Sequence, residues 1–414
     1  MTHGDYDVLV IGAGLAGLRC ASLLAAGGRS VRVWESGDTV GGRVRTDTID
    51  GFRCDRGFQV LNPAYPELRK AVDISALRLQ AFDPGIAVRD TDRVLEWRHP
   101  VRAPGHLPRM LTAGGLNPRD VLSLLRWAAP ATRPKALTTA PHDTTVAEAL
   151  DRSGVRGLPR RVVDRFLAGV VLDDHGSTSN AFALLLVRMF VLGVPGLPAD
   201  GMAALPRLLA APIFDRIDVN RTVSGVVRDG HGWAVTDGED TVRAPHVVVA
   251  TDPGTAAALT GCPRPDMNGV VTDWWAAADA PAGPALLWVD GRANRPGPVV
   301  NTSVISRAAP SYAPADSHLI AASALLDAGR RAPSESVVRA HAAEILGADG
   351  SRWTPVTRHV ITDALPVQPP PLRTRRSVRT PEGLWVCGDH RDTASIQGAL
   401  VSGRRVAEAI GRHG

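Results

Sequence analysis

Six residues near the start of the chain, Gly12-Ala13-Gly14-Leu15-Ala16-Gly17, have the types and spacing to hold an anionic dinucleotide. Gly12 permits a tight turn, Gly14 lets the backbone approach a pyrophosphate, and Gly17 lets a helix pack closely on a strand. Leu15 and Ala16 then open a helix whose unpaired N–H groups and positive dipole end face the phosphates. Glu35 follows 18 residues after Gly17, with Ser36 beside it. That is close to the spacing of about 20 at which a carboxylate accepts ribose hydroxyls. Six residues further on, Gly41-Gly42-Arg43 offers another close backbone approach and a planar fork of donors suited to phosphate oxygens.

These residues need elements to hold them. An apolar run, Val8 to Ile11, reads as a strand feeding the first turn, a helical pattern follows, and a second strand, Val31 to Trp34, ends on Glu35. A glycine turn alone is a weak signal, but strand, turn, helix, strand and acid in this order form a dinucleotide-binding unit. With Gly41-Gly42-Arg43 added, the segment resembles the FAD-dependent superfamily that contains flavin amine oxidases, phytoene desaturases and protoporphyrinogen oxidases. The resemblance implies that the dinucleotide is FAD.

The same resemblance assigns further residues. Gly57, Phe58 and Gln59 match the strand and glycine turn that pass beside the isoalloxazine. Gly388 and Asp389 match the strand-end Gly-acid pair near the ribityl-phosphate. Ser395, Ile396, Gln397 and Ala399 match the helix start that points at the flavin N1–C2=O edge, where reduced flavin carries negative charge. Val223 resembles the position whose backbone reads adenine, a plain strand valine being the alternative. Thr251 follows its strand as in the family, although this chain continues Asp252-Pro253.

At 414 residues the chain can form two or three domains, and 44% hydrophobic with 21% charged residues is an ordinary globular composition. The net charge is +5, and nearly all the basic residues are arginines, Lys70 and Lys135 being the lysines. The arginine-rich stretches 89–109 and 373–379 read as solvated surface. No nucleic-acid partner is expected, and contact with anionic lipid headgroups is the alternative. Cys20, Cys54, Cys262 and Cys387 lack metal-ligand spacing and read as free thiols of a reducing cytoplasm, with no metal site. The first strand begins by residue 8, which leaves no room for a signal peptide. The longest apolar run, 181–192, is interrupted by Arg188 and is too short to span a bilayer. The expected location is therefore cytoplasmic, at most with attachment to a membrane surface.

The nucleotide signals fall in three separated pieces, 1–70, 205–255 and 375–414, and no piece alone closes a parallel sheet. The expected fold is thus α/β: a discontinuous Rossmann-like FAD-binding domain with an inserted mixed-sheet plus helical substrate domain. Residues 71–204 read as mostly helical after a strand-like start. Residues 256–374 read as strands at 269–275, 285–289, 299–306, 319–325 and 357–361 with a helix at 334–346. Together they form the substrate-binding domain with its helical cap.

A second dinucleotide fingerprint is missing, so electrons are expected to enter FAD from an organic substrate and leave to oxygen, a quinone or another acceptor. The amine oxidases of the superfamily share an aromatic cage and commonly a lysine near flavin N5. Here Ser395 stands where the cage tyrosine would fall, and both lysines lie elsewhere. The expected reaction is dehydrogenation of an apolar small molecule. Amine oxidation is the rival, and a flavin-dependent isomerase or mutase without net redox is the alternative of another class. Leucine-rich 184–187 and the run 189–192 could line an apolar tunnel or simply be core. Asp173, Asp174, His175 and His390 are the polar residues to inspect, but no catalytic residue is assigned.

Overall fold

The strand Val8–Ile11 is apolar and buried at every position, as expected of a central parallel strand covered on both faces. In the computed structural model it pairs in parallel with His246–Val249 on one side and Val31–Trp34 on the other. Trp385–Val386 and Ile217–Asp218 complete a five-stranded parallel sheet. Its strands come from three distant parts of the chain, so the nucleotide-type domain is discontinuous, as the fold class expected. The structure describes residues 6–91, 93–99, 101–113, 115–138, 142–230, 232–294 and 297–412. The remaining residues of the expected segments, including the outermost ends 1–5 and 413–414 and positions 92 and 100 of the first arginine-rich stretch, lie outside the described residues.

Register decides what this sheet can do. Ile11 lies beside Trp34 and Val249, and Val249 lies beside Val386. The chain therefore leaves four strands at one edge, through Gly12, Glu35, Ala250 and Cys387. A crevice outside the carboxyl ends of parallel strands is where such sheets bind ligands. The helices Leu15–Ala26 and Ile396–Arg412 cover one face and touch closely: a Cβ at Gly403 would stand 2.2 Å from the Ala16 carbonyl oxygen. Leu77 and Met202, placed by sequence in the first insert, are buried in the same core. A three-stranded antiparallel sheet, Gly225–Asp229, Gly232–Thr236 and Thr241–Ala244, packs Trp233 and Val235 against Trp34.

The second large sheet has seven strands, in the order Thr354–Pro366, Met267–Ala277, His318–Leu325, Val299–Val304, Leu287–Asp290, Gly85–Arg89 and Val94–Arg98. It is mixed, because Leu287–Asp290 pairs in parallel with Gly85–Arg89 while the other pairs are antiparallel. The two strands within 85–98 exceed the strand-like start read from sequence. Side chains alternate across a sheet. Val271, Trp275, Ala322 and Ala324 pack under the helix Glu335–Leu346. Thr272 and Ser323 point to the other face. The helices Val146–Ser153, Gly157–Val171 and Asn180–Leu192, called the cap below, lie within the stretch 71–204 that reads as mostly helical. Among the described residues no helix is long and apolar enough to cross a membrane.

One buried ion cluster ties three helices of the first domain. Glu67, on Pro66–Ala71, accepts from Arg19 at 2.8 Å and from Arg404 at 2.8 Å, and its N–H donates to the side-chain oxygen of Gln397 at 2.9 Å. Removing the shared carboxylate leaves the buried Arg19 guanidinium without its acid, while Arg404 keeps Glu408 at 2.6 Å. Glu67→Ala is therefore expected to lower stability by about 3 kcal/mol. Urea unfolding measures it, and a loss below about 1 kcal/mol would show that solvent compensates Arg19.

Candidate functional site

The crevice is built first from backbone. Gly12 has φ +103°, and a Cβ there would meet the Ala250 carbonyl oxygen at 2.8 Å. At Gly17 it would stand 2.0 Å from the Gly12 carbonyl oxygen, so turn, helix and neighbouring loop meet without side chains between them. Gly14 is the N-cap of Leu15–Ala26 and supplies no side-chain cap. A Cβ at Gly14 would meet nothing within 4 Å, so the open helix end faces free space, as an anionic dinucleotide requires.

Glu35 braces this turn. Its Oε2 accepts from the Ala13 N–H at 2.6 Å and its Oε1 from the Gly37 N–H at 2.8 Å, with the Ser36 hydroxyl at 3.5 Å. The Gly41 N–H donates to the Ala13 carbonyl at 2.9 Å, and a Cβ at Gly42 would lie 3.4 Å from the Gly14 Cα. The two glycine turns are thus one unit. Arg43 donates to Asp389 Oδ1 at 2.6 Å and to the Ala364 carbonyl at 2.8 Å, so it is already committed to protein partners. Burial opposes its charge, but neighbouring Asp389, with Asp252 and Asp363 beyond, raises its pKa above the usual value.

Asp55 supports the third turn. Its Oδ1 accepts from the Thr46 hydroxyl at 2.5 Å and the Met202 N–H at 2.9 Å, and its Oδ2 from the Tyr312 hydroxyl at 2.9 Å. Burial pushes its pKa up to about 6 despite those three donors. Two residues on, Gly57 has φ +83° and abuts Ile361. The Phe58 N–H donates to Thr272 Oγ1 at 3.2 Å, and the Gln59 amide donates to the Arg43 and Arg56 carbonyls at 2.9 and 3.0 Å. Gly388 (φ +152°) donates its N–H to Ser402 Oγ at 2.9 Å. Ser395 caps the last helix by accepting from the Gly398 N–H at 3.1 Å.

These turns open on one cavity of about 750 Å³ that runs from the crevice to the second sheet and the cap. Every candidate residue named from sequence lines it except Gly17, Val223 and Gln397. Val223 packs on the core around Trp34, and the Gln397 side chain turns away to Glu67. Leu186 and Phe190 of the cap line the cavity, whereas Leu184 is buried in the cap core and Val191 and Leu192 are exposed. Asp173, Asp174 and His175 border a separate cleft of about 100 Å³. His390 is buried, and burial pushes its pKa down to about 4, but it does not line the cavity. Sequence reading missed Asn301 and Ser323, which line the far end. Asn301 stands on Val299–Val304 and Ser323 on His318–Leu325, and no sequence pattern marked either.

The sequence profile of the family described as Flavin containing amine oxidoreductase matches residues 15–411. The chain is 26% identical over 277 residues to a Mycobacterium tuberculosis protein provisionally described as a flavin-containing monoamine oxidase; the match covers 61% of this chain and 58% of that one. Against protoporphyrinogen oxidase 2 of Arabidopsis thaliana the identity is 25% over 177 residues, 42% of this chain and 34% of that one. The chain thus spans less than two thirds of the length of these curated relatives. A solved oxidoreductase structure from Methanosarcina mazei matches with a TM-score of 0.74 over 97% of this chain and 99% of that chain. At 16% sequence identity that likeness is one of fold.

Two outcomes are expected of this geometry. Glu35→Ala removes the carboxylate that braces the Ala13 and Gly37 N–H groups, so FAD binding should weaken by about 1.5–3 kcal/mol, measured by equilibrium titration of the apoprotein. Unchanged affinity would take Glu35 out of the cofactor site. Asp55 keeps its proton to about pH 6 when folded but only to about pH 3.9 when unfolded. Its stabilising contribution is therefore full below about pH 3.9 and is lost as pH rises through about 6. The stability of the protein minus that of Asp55→Asn should fall by about 2–3 kcal/mol between pH 4 and pH 7, read by urea unfolding. A flat or rising difference would contradict the burial effect.

Proposed function

This chain belongs to the flavin containing amine oxidoreductase family, and from that premise we propose that it is an FAD-dependent oxidoreductase that dehydrogenates a neutral, largely apolar organic molecule. The observation that carries the reading is the state of the carboxylates lining the cavity. Glu35 is bonded to Ala13 and Gly37, Asp83 to Arg98, Asp389 to Arg43, and Asp252 to the N–H groups of Gly254 and Thr255. Each of the four thus already has a protein partner, and none is an acid standing alone in the cavity wall. Around the substrate end stand Phe166, Val170, Leu186, Phe190 and Leu365.

In this reading the Gly12–Gly17 turn and the start of its helix hold the pyrophosphate, Glu35 the ribose, and Gly57 to Gln59 lie along the ring. The start of the last helix, capped by Ser395, favours the negative end of the reduced flavin. FAD when bound supplies the hydride acceptor, with oxygen or a quinone as the onward acceptor. The apolar wall excludes water and holds a substrate C–H bond against the cofactor. Amine oxidation is the second reading, supported by the description of the M. tuberculosis relative.

Anaerobic mixing of the purified holoprotein with candidate substrates separates the readings. Neutral, partly saturated polyenes or porphyrinogens should bleach the flavin, and putrescine and simple primary amines should leave it oxidised. Bleaching by the amines alone would overturn the proposal in favour of an amine oxidase. Substrate conversion that requires prior flavin reduction would replace it with an isomerase.

A further inference from the structure

Asn301 is 3% exposed and lines the far end of the cavity, and its side-chain amide makes no hydrogen bond with the described residues while its polar atoms keep access to the cavity. An amide turned into a cavity wall, with no protein partner of its own, is free to pair with what occupies the cavity. Two separate features of the backbone hold it there. Val299 pairs with Ala324 and belongs to the core under the helix Glu335–Leu346, but the register shifts before Asn301, which pairs with Ser323. That irregularity brings Asn301 onto the same face as Ser323 and Thr272, toward the cavity, which is how bulges re-aim side chains. Opposite it, Gly169 lies in the last turn of the helix Gly157–Val171. A Cβ at that position would stand 2.2 Å from Asn301 Nδ2, so the glycine makes room for the amide.

The neighbours of the amide are already satisfied or apolar. Ser323 Oγ is 3.0 Å from Thr272 Oγ1, and Thr272 Oγ1 accepts from Phe58, one residue past the Gly57 turn. Val170, Val270 and Leu287 line the cavity from the adjoining helix and strands. An uncharged donor–acceptor group in such a wall is suited to hydrogen-bond an uncharged polar group. We propose that Asn301 is a specificity residue: the substrate is an apolar molecule bearing one neutral oxygen function, a carbonyl or hydroxyl, which the Asn301 amide hydrogen-bonds in the space left by Gly169. This rests on the neutral-substrate reading above and narrows it from an apolar molecule to an oxygen-bearing one.

The test measures binding and not turnover. The probes are 4-phenyl-2-butanone, 4-phenyl-2-butanol, butylbenzene and 4-phenylbutylamine, titrated into the FAD-loaded protein and followed by the flavin difference spectrum. The ketone or the alcohol should bind about tenfold more tightly than butylbenzene. Asn301→Leu should erase that preference while keeping FAD content and butylbenzene affinity. Gly169→Ala, which displaces the amide without removing it, should erase it too, and serves if Asn301→Leu fails to fold. A preference that survives both variants, or none in the unaltered protein, overturns the proposal. If butylbenzene binds as well as the ketone and the amine binds weakly, the neutral-substrate reading stands and only the role of Asn301 falls. If the amine binds tightest of the four, both fall.

Discussion

The in-register ending of four parallel strands is the constraint on which the rest of the site depends. Ile11, Trp34, Val249 and Val386 finish abreast because their backbones share one hydrogen-bonded sheet. A slip of one residue in any pair would turn a strand's side chains to the opposite face and bury the wrong set. Apolar residues on both faces therefore fix the edge, and the edge fixes where Gly12, Glu35, Thr251 and Gly388 leave the sheet. Glu35 and the Gly41–Ala13 hydrogen bond then lock the turns to one another. The crevice is an outcome of sheet register reinforced by short local bonds. It needs no side chain to be held in an unusual position.

Two such sheets must also be held together, and here the solution is polar. Asp55 joins the hairpin of Thr46, the loop at Met202 and Tyr312 beside the second sheet through three hydrogen bonds. Arg43 joins the second glycine turn to Asp389 and to Ala364, on the long strand Thr354–Pro366. Buried polar ties of this kind add little net stability, but leaving one partner unpaired is expensive, so they select one relative arrangement of the parts. The Asp55 carboxyl shows the tension directly: burial raises its pKa to about 6 while its donors pull the other way. The turn that carries Gly57 inherits its placement from that balance.

What could be read from the sequence divides along the same line. Gly12, Gly14 and Gly17 were legible because backbone approach leaves a mark at fixed local spacing, and Gly41-Gly42 for the same reason. The parallel-sheet fold class followed from the apolar strands. The Gln397 side chain was not legible, because its turn toward Glu67 depends on a residue 330 positions away. Nor were the strands Gly85–Arg89 and Val94–Arg98, whose pairing completes a sheet assembled mainly from the far half of the chain. Leu77 and Met202 join the first core across the boundaries that composition suggested. Asn301 was hidden most fully. Its direction is set by a register irregularity, which no periodicity reveals, and its room by a glycine on a different element.

The separation has a chemical consequence. The cofactor end of the cavity is made from turns whose sequence is constrained by backbone geometry, so substitutions there meet steric limits such as the 2.0 Å contact at Gly17. The substrate end is made from side chains standing on strands and cap helices, where exchanging one apolar residue for another of similar volume costs little. The same crevice can therefore serve different substrates as the wall changes, and fold alone says little about which one is used. In this chain that wall contains an amide fitted against a glycine on a different element, a feature set by side-chain placement and not by the parallel sheet.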